Sequence, residues 1–307
     1  MNMDKIKVAA IVILSVLLVV CAILFAISAG RDIAGDINAL PSPEIPKKEQ
    51  AASLSADDIE VDTGSLSRVK IGWGPGTEVN DKNQPVGAIS AQEKYSGLGG
   101  HFIFPADEKI LYLTFDLGYE NGYTETILDA LDARGIKGTF FITMDYVKEA
   151  PHIVRRIIEG SHTLGNHTVK HPSVPDISDE RIISELMDLH SYIEGNFGYS
   201  MTVFRYPMGE FSEYSLKFID NLGYKSIFWS FAYVDWKTDA QPSREAGMEK
   251  ITSALHGGAI YLLHAVSSTN AAIMGDFLDT AIAEHYSFGL IDQKLGLAEP
   301  AQPGILP

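Results

Sequence analysis

At 307 residues the chain is long enough to bury one full-sized core, and its 46% hydrophobic and 21% charged residues are ordinary values for a globular protein. The net charge of −16 argues against nucleic acid or an anionic membrane surface as a partner, because both would repel the chain. The only cysteine, Cys21, lies in an apolar segment, so a disulfide framework is excluded and the rest of the chain is compatible with an oxidising compartment.

The first apolar segment, residues 8–29, contains no charged residue and follows Lys5 and Lys7. About 20 apolar residues span a bilayer, and the two lysines favour a cytoplasmic amino terminus. Residues 1–30 are therefore predicted to form a short cytoplasmic stub and a single-pass anchor in the cell membrane, with the catalytic domain extracytoplasmic. A cleaved signal peptide with its site at Ala26-Ile27-Ser28 is the alternative, although signal cores usually run only about 7–15 residues.

Three further segments follow this predicted anchor. Residues 31–67 are rich in Ala, Ser, Asp, Pro and Lys without sustained periodicity, which predicts a flexible linker between membrane and domain. Residues 68–292 form the predicted catalytic domain, and its first part, residues 69–104, is rich in Gly and Pro. Residues 293–307 are predicted to form a loose tail.

From Lys109 onward, short apolar segments alternate with amphipathic ones, as the strands and helices of βαβ units do. Strands are predicted at residues 110–116, 138–143, 162–166, 202–206, 225–230, 258–264 and 287–291. Helices are predicted at about 122–134, 146–159, 178–195, 212–222, 243–255 and 270–284, and Ser212 and Ser243 are the expected N-caps of two of them. This alternation predicts an α/β protein, a distorted (β/α) barrel of about seven mostly parallel strands, with an open parallel sheet as the alternative.

The first of these strands ends in Asp116, and turn residues such as Gly118 follow at once. A carboxylate at the carboxyl end of a buried strand lies where α/β barrels keep their chemistry. Four later strand ends also carry polar side chains, so we expect one active site that combines Asp116 with five further residues: His167, His171, Arg205, Asp235 and His264.

His167 and His171 are four residues apart, but Pro172 disfavours helix at His171, so a turn from strand to loop is expected. Two neutral imidazoles that converge can bind one divalent cation. Ordinary core or surface histidines are the alternative, and the presence of Asp116 in the set favours a metal site. His162 lies nearer the start of its strand and is interpreted as structural.

The remaining three candidates each suit a role in acid–base chemistry. Arg205 can hold a carboxylate in a bidentate pair, and the Pro and Gly that follow expose the backbone N–H of Tyr206 to an anion. His264 ends a fully apolar strand, and an Asp235–His264 pair would stabilise the imidazolium of a general acid near neutral pH. Taken singly, each residue also has an ordinary structural explanation. The motifs of serine hydrolases and phosphate-binding loops are absent from the sequence.

Five segments of the chain resemble, in order, the five motifs of the polysaccharide deacetylases of carbohydrate esterase family 4: Thr114-Phe115-Asp116, residues 167–171, residues 205–209, Asp235-Trp236 and Leu263-His264. Five segments resemble more closely the delta-lactam-biosynthetic de-N-acetylases of spore-forming bacteria: Trp73-Gly74 and residues 118–124, 228–230, 235–237 and 260–264. The resemblance covers about residues 70–292.

The resemblance implies hydrolytic removal of acetyl groups from the amino sugars of cell-wall glycan. The expected substrate is peptide-free N-acetylmuramic acid of peptidoglycan, on the way to the muramic δ-lactam of spore cortex, and N-acetylglucosamine or chitin-like chains are the alternative. The roles carried over by position are Asp116 as base, His167 and His171 as metal ligands, Arg205 as the residue that orients Asp116, the N–H of Tyr206 as oxyanion donor, and His264 as acid, tuned by Asp235.

Leu117 departs from the family pattern. Most members have a second Asp after the base, and that Asp binds the metal, whereas leucine offers no ligand atom. Zinc is the expected metal, but with two protein ligands its binding would be weak unless Glu120, Asn121 or the substrate completes the shell. A catalytically weak or silent glycan-binding relative is therefore the alternative to an active enzyme.

Overall fold

The computed structural model describes residues 66–297. The predicted anchor at residues 8–29, nearly all of the linker at 31–67 and most of the tail at 293–307 lie outside the described residues. Within 66–297, no helix is both long and apolar enough to cross a membrane.

Ten strands are present in this part of the chain: β1 (Ile71–Gly72), β2 (Gly100–His101), β3 (Ile110–Leu117), β4 (Thr139–Ile142), β5 (Thr163–Asn166), β6 (Val203–Phe204), β7 (Glu210–Phe211), β8 (Lys225–Ile227), β9 (Ala259–His264) and β10 (Ser287–Phe288). Residues 66–297 also contain nine α-helices: α1 (Val86–Tyr95), α2 (Thr124–Asp132), α3 (Met144–Glu149), α4 (Pro151–Glu159), α5 (Asp179–Phe197), α6 (Glu213–Asn221), α7 (Arg244–Ser253), α8 (Ser268–Ala283) and α9 (Ile291–Lys294).

Eight of the strands form one parallel sheet in the order β10-β3-β4-β5-β6-β8-β2, with β9 beside β3. A single parallel bridge joins Phe231, just after β8, to Tyr261 of β9. The sheet therefore curves back toward itself as a half-barrel. The expected parallel α/β architecture is confirmed, whereas closure is limited to this one bridge. β1 and β7 form a separate antiparallel pair.

Side chains of β3 alternate between two environments, as the period of two in a strand requires. Leu111, Leu113, Phe115 and Leu117 belong to the main core, which the helices cover. Tyr112 belongs instead to a second cluster inside the sheet's curve, together with Phe141, Val203, Ile227 and Ile260. Because the even-numbered residues face this interior, Asp116 faces it too, and its neighbour Leu117 faces the helices.

Several predicted boundaries differ from the structure for local reasons. The helix predicted at 146–159 is two helices, because Ala150 (φ −127°, ψ 56°) interrupts the helical backbone before Pro151. The strand predicted at 287–291 ends at Phe288, and helix α9 extends past residue 292 into the predicted tail. The two expected caps are confirmed, since Ser212 and Ser243 each accept the backbone N–H three residues on.

Candidate active site

Asp116 is fixed by a buried arginine. An Nη1–H of Arg205 donates to Oδ1 of Asp116 at 2.9 Å and another to the hydroxyl of Thr114 at 2.7 Å. The guanidinium is fully buried, and its Nε and Nη2 donate to the carbonyl oxygens of Ile227 and Phe228 at 3.0 and 3.1 Å. Each nitrogen of the Arg205 guanidinium therefore has a hydrogen-bond partner, and Oδ2 of Asp116 is left for other partners.

The carboxylate of Asp116 is ionised despite being only 8% exposed. Burial by itself would raise the pKa of Asp116. The positive charge of the neighbouring Arg205 is the largest of the effects that outweigh burial and lower the pKa of Asp116 below its ordinary value. An ionised carboxylate with one uncommitted oxygen suits a proton acceptor.

His167 presents a lone pair toward Asp116. Its Nδ1 lies 2.9 Å from the carbonyl oxygen of Arg205, and because a carbonyl only accepts, Nδ1 carries the proton. The other ring nitrogen, Nε2, then lies 3.6 Å from Oδ2 of Asp116. Burial lowers the pKa of His167 to about 4, so the ring is neutral at physiological pH.

His171 lies beside His167 at the end of a strained loop. The two ring centroids are 4.8 Å apart. Thr168 and His171 both have left-handed backbones, with φ of 72° and 56°, which cost about 1–3 kcal/mol each. Hydrogen bonds hold this shape: Thr168 N–H donates to the Asn166 side chain and His171 N–H to the Thr168 hydroxyl, both at 2.9 Å, and Lys170 N–H donates to Glu185 Oε2 at 2.7 Å.

His264 stands next to Asp116 because strands β3 and β9 pair in a register that makes these two residues direct partners. Its Nδ1 donates to Oδ1 of Asp235 at 2.7 Å. Burial opposes protonation of His264, but the fully buried carboxylate of Asp235 outweighs burial and raises the pKa of the imidazole above its usual value. The pair therefore favours the protonated form of the imidazole, which is the form that a general acid needs.

Two residues of this arrangement carried no signal in the sequence. Asn270, at the start of α8, donates from Nδ2 to Oδ2 of Asp235 at 2.6 Å and to the carbonyl oxygen of His264 at 3.1 Å. Its Oδ1 accepts the hydroxyl of Tyr233. An asparagine just after a serine N-cap indicates only a helix start, so the sequence by itself does not connect Asn270 with the site.

A cavity of about 500 Å³ collects five of the seven expected site residues: Asp116, His167, His171, Tyr206 and His264. Arg205 and Asp235 lie behind its wall. Exposed side chains of Tyr119, Met208 and Trp236 also line it.

Within the described part of the chain, the backbone N–H of Tyr206 donates to no acceptor. Pro207 has no N–H, and the N–H of Met208 (φ 57°), in the 3₁₀ turn Pro207–Gly209, also donates to no acceptor among the described residues, so the loop offers two donors to an anion.

The residues present do not fit a complete metal centre. Leu117 is fully buried among the helix-facing core residues. Both oxygens of Glu120 are engaged, by Gly122 N–H and by the hydroxyls of Thr124 and Tyr146, and the amide of Asn121 donates to a backbone carbonyl. Among residues 66–297, no group of three His, Cys, Asp or Glu side chains is arranged to hold an ion. Catalytic zinc sites use three protein ligands, so this donor set is one ligand short.

Comparison with known proteins gave consistent matches. Residues 105–227 match the family model described as polysaccharide deacetylase. The chain is similar to the peptidoglycan-N-acetylmuramic acid deacetylase PdaA of Bacillus subtilis, with 36% identity over 238 residues that cover 76% of this chain and 89% of that protein. It is also similar to the peptidoglycan-N-acetylglucosamine deacetylase PgdA of Listeria monocytogenes, with 30% identity over 61% of this chain and 39% of that protein.

Two solved structures are informative. That of Bacillus subtilis PdaA, a family 4 carbohydrate esterase, matches with a TM-score of 0.71 and 34% identity over 75% of this chain and 98% of that one. A family 4 pseudoenzyme from Bacillus anthracis matches with a TM-score of 0.59 and 25% identity over 63% of this chain and 68% of that one.

Proposed function

The chain belongs to the polysaccharide deacetylases of carbohydrate esterase family 4, and we propose that it removes the acetyl group from N-acetylmuramic acid in peptidoglycan strands without stem peptides. The family's chemistry is hydrolysis of N-acetyl amide bonds, and the relatives named above act on peptidoglycan. The observation that carries the choice of sugar is the 36% identity over 89% of PdaA. The product would be the amine from which muramic δ-lactam of spore cortex is formed.

The proposed reaction begins at Asp116. Its ionised carboxylate has one oxygen uncommitted to Arg205, and this oxygen takes a proton from water as the water oxygen attacks the amide carbon. The resulting oxyanion accepts hydrogen bonds from backbone N–H groups of the loop that contains Tyr206. One such donor contributes about 3–4 kcal/mol to lowering the barrier in other acyl transfers.

Bond cleavage requires a proton on the departing nitrogen, and His264 supplies it. Asp235 keeps the imidazole protonated and fixes the ring by its Nδ1, so Nε2 is the nitrogen that delivers the proton. The C–N bond then breaks to give acetate and a free amine. The family is generally metal-dependent, whereas the donor set of this chain is one ligand short, so the proposed steps rest on the protein's own groups.

We place this activity outside the cytoplasm, with residues 8–29 as a membrane tether. The support is the length of the uncharged apolar segment and the two lysines before it. Cell fractionation, followed by protease treatment of intact cells, tests the placement. Recovery of the chain from the soluble cytoplasmic fraction would exclude it.

The test of function uses the full-length protein in detergent with three substrates: peptidoglycan strands with stem peptides, strands without them, and N-acetylglucosamine oligomers. We expect acetate release and a muropeptide mass lower by one acetyl group from the peptide-free strands, and loss of this activity in Asp116→Asn and His264→Ala. Full activity in either variant overturns the assignment. Preference for N-acetylglucosamine oligomers overturns the choice of sugar alone.

A catalytically silent glycan-binding protein is the second candidate. It is favoured by Leu117, which removes a ligand atom, and by the similarity to a family 4 pseudoenzyme. It predicts that the protein co-sediments with peptidoglycan and releases no acetate, whether or not Zn²⁺ is added. Acetate release from any of the three glycans excludes it.

A further inference from the structure

The carboxylate that supports His264 is itself held by a third residue. Oδ2 of Asp235 accepts both the backbone N–H of His264, at 2.8 Å, and Nδ2 of Asn270, at 2.6 Å. Nδ2 of Asn270 also reaches the backbone carbonyl of His264 at 3.1 Å. The side-chain amide of Asn270 therefore binds both the carboxylate of Asp235 and the backbone of His264.

We propose that Asn270 is a positioning residue for the general acid: its side-chain amide fixes Asp235 in the orientation that holds His264 with Nε2 toward the cavity. This inference rests on the proposed function for its catalytic meaning. Asn270 does not line the cavity and touches no reacting atom, so it acts only through Asp235 and His264.

The side chain of Asn270 is not needed to start helix α8. That task falls to Ser267, whose hydroxyl accepts the backbone N–H of Asn270 at 3.0 Å. The Asn270 side chain is fully buried and makes all its hydrogen bonds away from the helix, to Asp235, His264 and Tyr233. Buried amide groups that are left unpaired cost stability, so these three partners determine the direction of the amide.

The charges around this amide define what a substitution does. His264 and Tyr233 are the titratable groups that face Asp235 and Asn270, and Asp116 and Arg205 act on His264 from the other side. Asn270→Asp keeps the size and the oxygen that accepts from Tyr233, but places a second carboxylate against Asp235. Two adjacent carboxylates favour sharing a proton, and once protonated the new side chain donates to Asp235 as the amide did.

The test is the pH dependence of kcat for Asn270→Asp relative to the parent, with peptide-free peptidoglycan strands as substrate. Since hydrogen bonds to charged groups are the stronger kind, we expect kcat to fall about ten- to a hundredfold at neutral pH with KM little changed. The deficit should narrow as the pH falls. Asn270→Ala, which has no donor at any pH, should stay low throughout, and Tyr233→Phe, which keeps the donor, should lose less.

Asn196→Asp is the matched control, because Asn196 is exposed on helix α5 and bonds only to a carbonyl of its own helix. A deficit of Asn270→Asp that is equal at every pH, or no deficit, overturns the proposal. A second readout does not need activity: the proton on Nδ1 of His264 gives a downfield NMR signal when held by Asp235. We expect this signal in the parent, its loss in Asn270→Asp at neutral pH and its return at lower pH. An unchanged NMR signal in Asn270→Asp overturns the proposal, whether or not the parent releases acetate. Absence of acetate release by the parent overturns the proposed function only.

Discussion

Asp235 holds His264 at two points, by a 2.7 Å hydrogen bond from the ring Nδ1 to Oδ1 and a 2.8 Å hydrogen bond from the backbone N–H to Oδ2. Oδ2 of Asp235 also accepts Nδ2 of Asn270, so any rotation of the carboxylate breaks at least one of these three hydrogen bonds. The carboxylate of Asp235 is therefore held against the ring of His264, and its negative charge raises the pKa of the imidazole.

Asp235→Asn should move the alkaline limb of the pH–rate profile to lower pH. The acid works while His264 is protonated, which holds below its pKa, and Asp235 raises that pKa. Removing the negative charge lowers the pKa of His264, so the protonated fraction is lost at a lower pH. The measurement is kcat as a function of pH. Asp188→Asn, an exposed position, is the control, and an alkaline limb that stays in place would contradict the pairing.

Arg205→Ala should destabilise the fold as well as the site. It leaves the carboxylate of Asp116 buried without its partner, and breaking a buried pair in this way costs about 3–5 kcal/mol. Urea denaturation followed by circular dichroism measures the loss. The exposed Arg155→Ala should change the free energy of unfolding by less than about 0.5 kcal/mol.

The double variant with Arg205→Ala and Asp116→Asn should recover part of the stability lost by Arg205→Ala alone, because it removes the unpaired charge. If the double variant is no more stable than the single one, the carboxylate is not the group that Arg205 stabilises.

Leu117→Asp should bind Zn²⁺ more tightly than the parent, because position 117 ends β3 directly before Gly118 of the cavity wall, and the ion gives the new carboxylate a partner that the helix-facing core does not. The parent offers two neutral imidazoles, one ligand fewer than catalytic zinc sites use, so we expect less than one zinc per chain at micromolar concentration. The added carboxylate also costs stability without metal, because position 117 is fully buried. Zinc should therefore raise the melting temperature of the variant more than that of the parent. One tightly bound zinc in the parent would contradict the short donor set.

Gly165→Ala should destabilise the protein. A Cβ at this position in β5 would overlap the ring of Phe141, whose centroid lies 4.3 Å from the Arg205 guanidinium carbon. Overpacking of this kind costs about 1–3 kcal/mol. Gly195→Ala is the control: nothing lies within 4 Å of its Cβ position, and alanine in a helix should add about 0.5–1 kcal/mol. Equal stability of the two variants would show that Phe141 has room to move.

Much of the site was predictable because its residues lie at the ends of strongly apolar segments. Asp116 and His264 each end such a segment, and burial of neighbouring strands brings their carboxyl ends to one edge of the sheet. Pro172 correctly indicated a loop at His171, since that residue has a left-handed backbone that no helix continues. These signals are local, and local signals are what a single sequence carries.

The rest depends on contacts between distant segments. Helix α1 was missed because its sequence, Val-Gly-Ala-Ile-Ser-Ala-Gln-Glu-Lys-Tyr, buries only small residues and one tyrosine. The side-chain cluster around Asn270 was missed because the partners lie 35 and 37 residues away. The engagement of Glu120 by Thr124 and Tyr146, which keeps it from the histidines, depends on how helices α2 and α3 pack.

The ladder between β3 and β9 makes Asp116 and His264 opposite partners. The main-chain geometry of this strand pair therefore sets the spacing between the proton acceptor Asp116 and the proton donor His264. The loops beyond the strand ends do not set it. Insertions or exchanges in those loops would remodel which glycan is admitted while the distance over which protons travel stays constant. Substrate preference in such an architecture is free to diverge without any retuning of its acid–base pair.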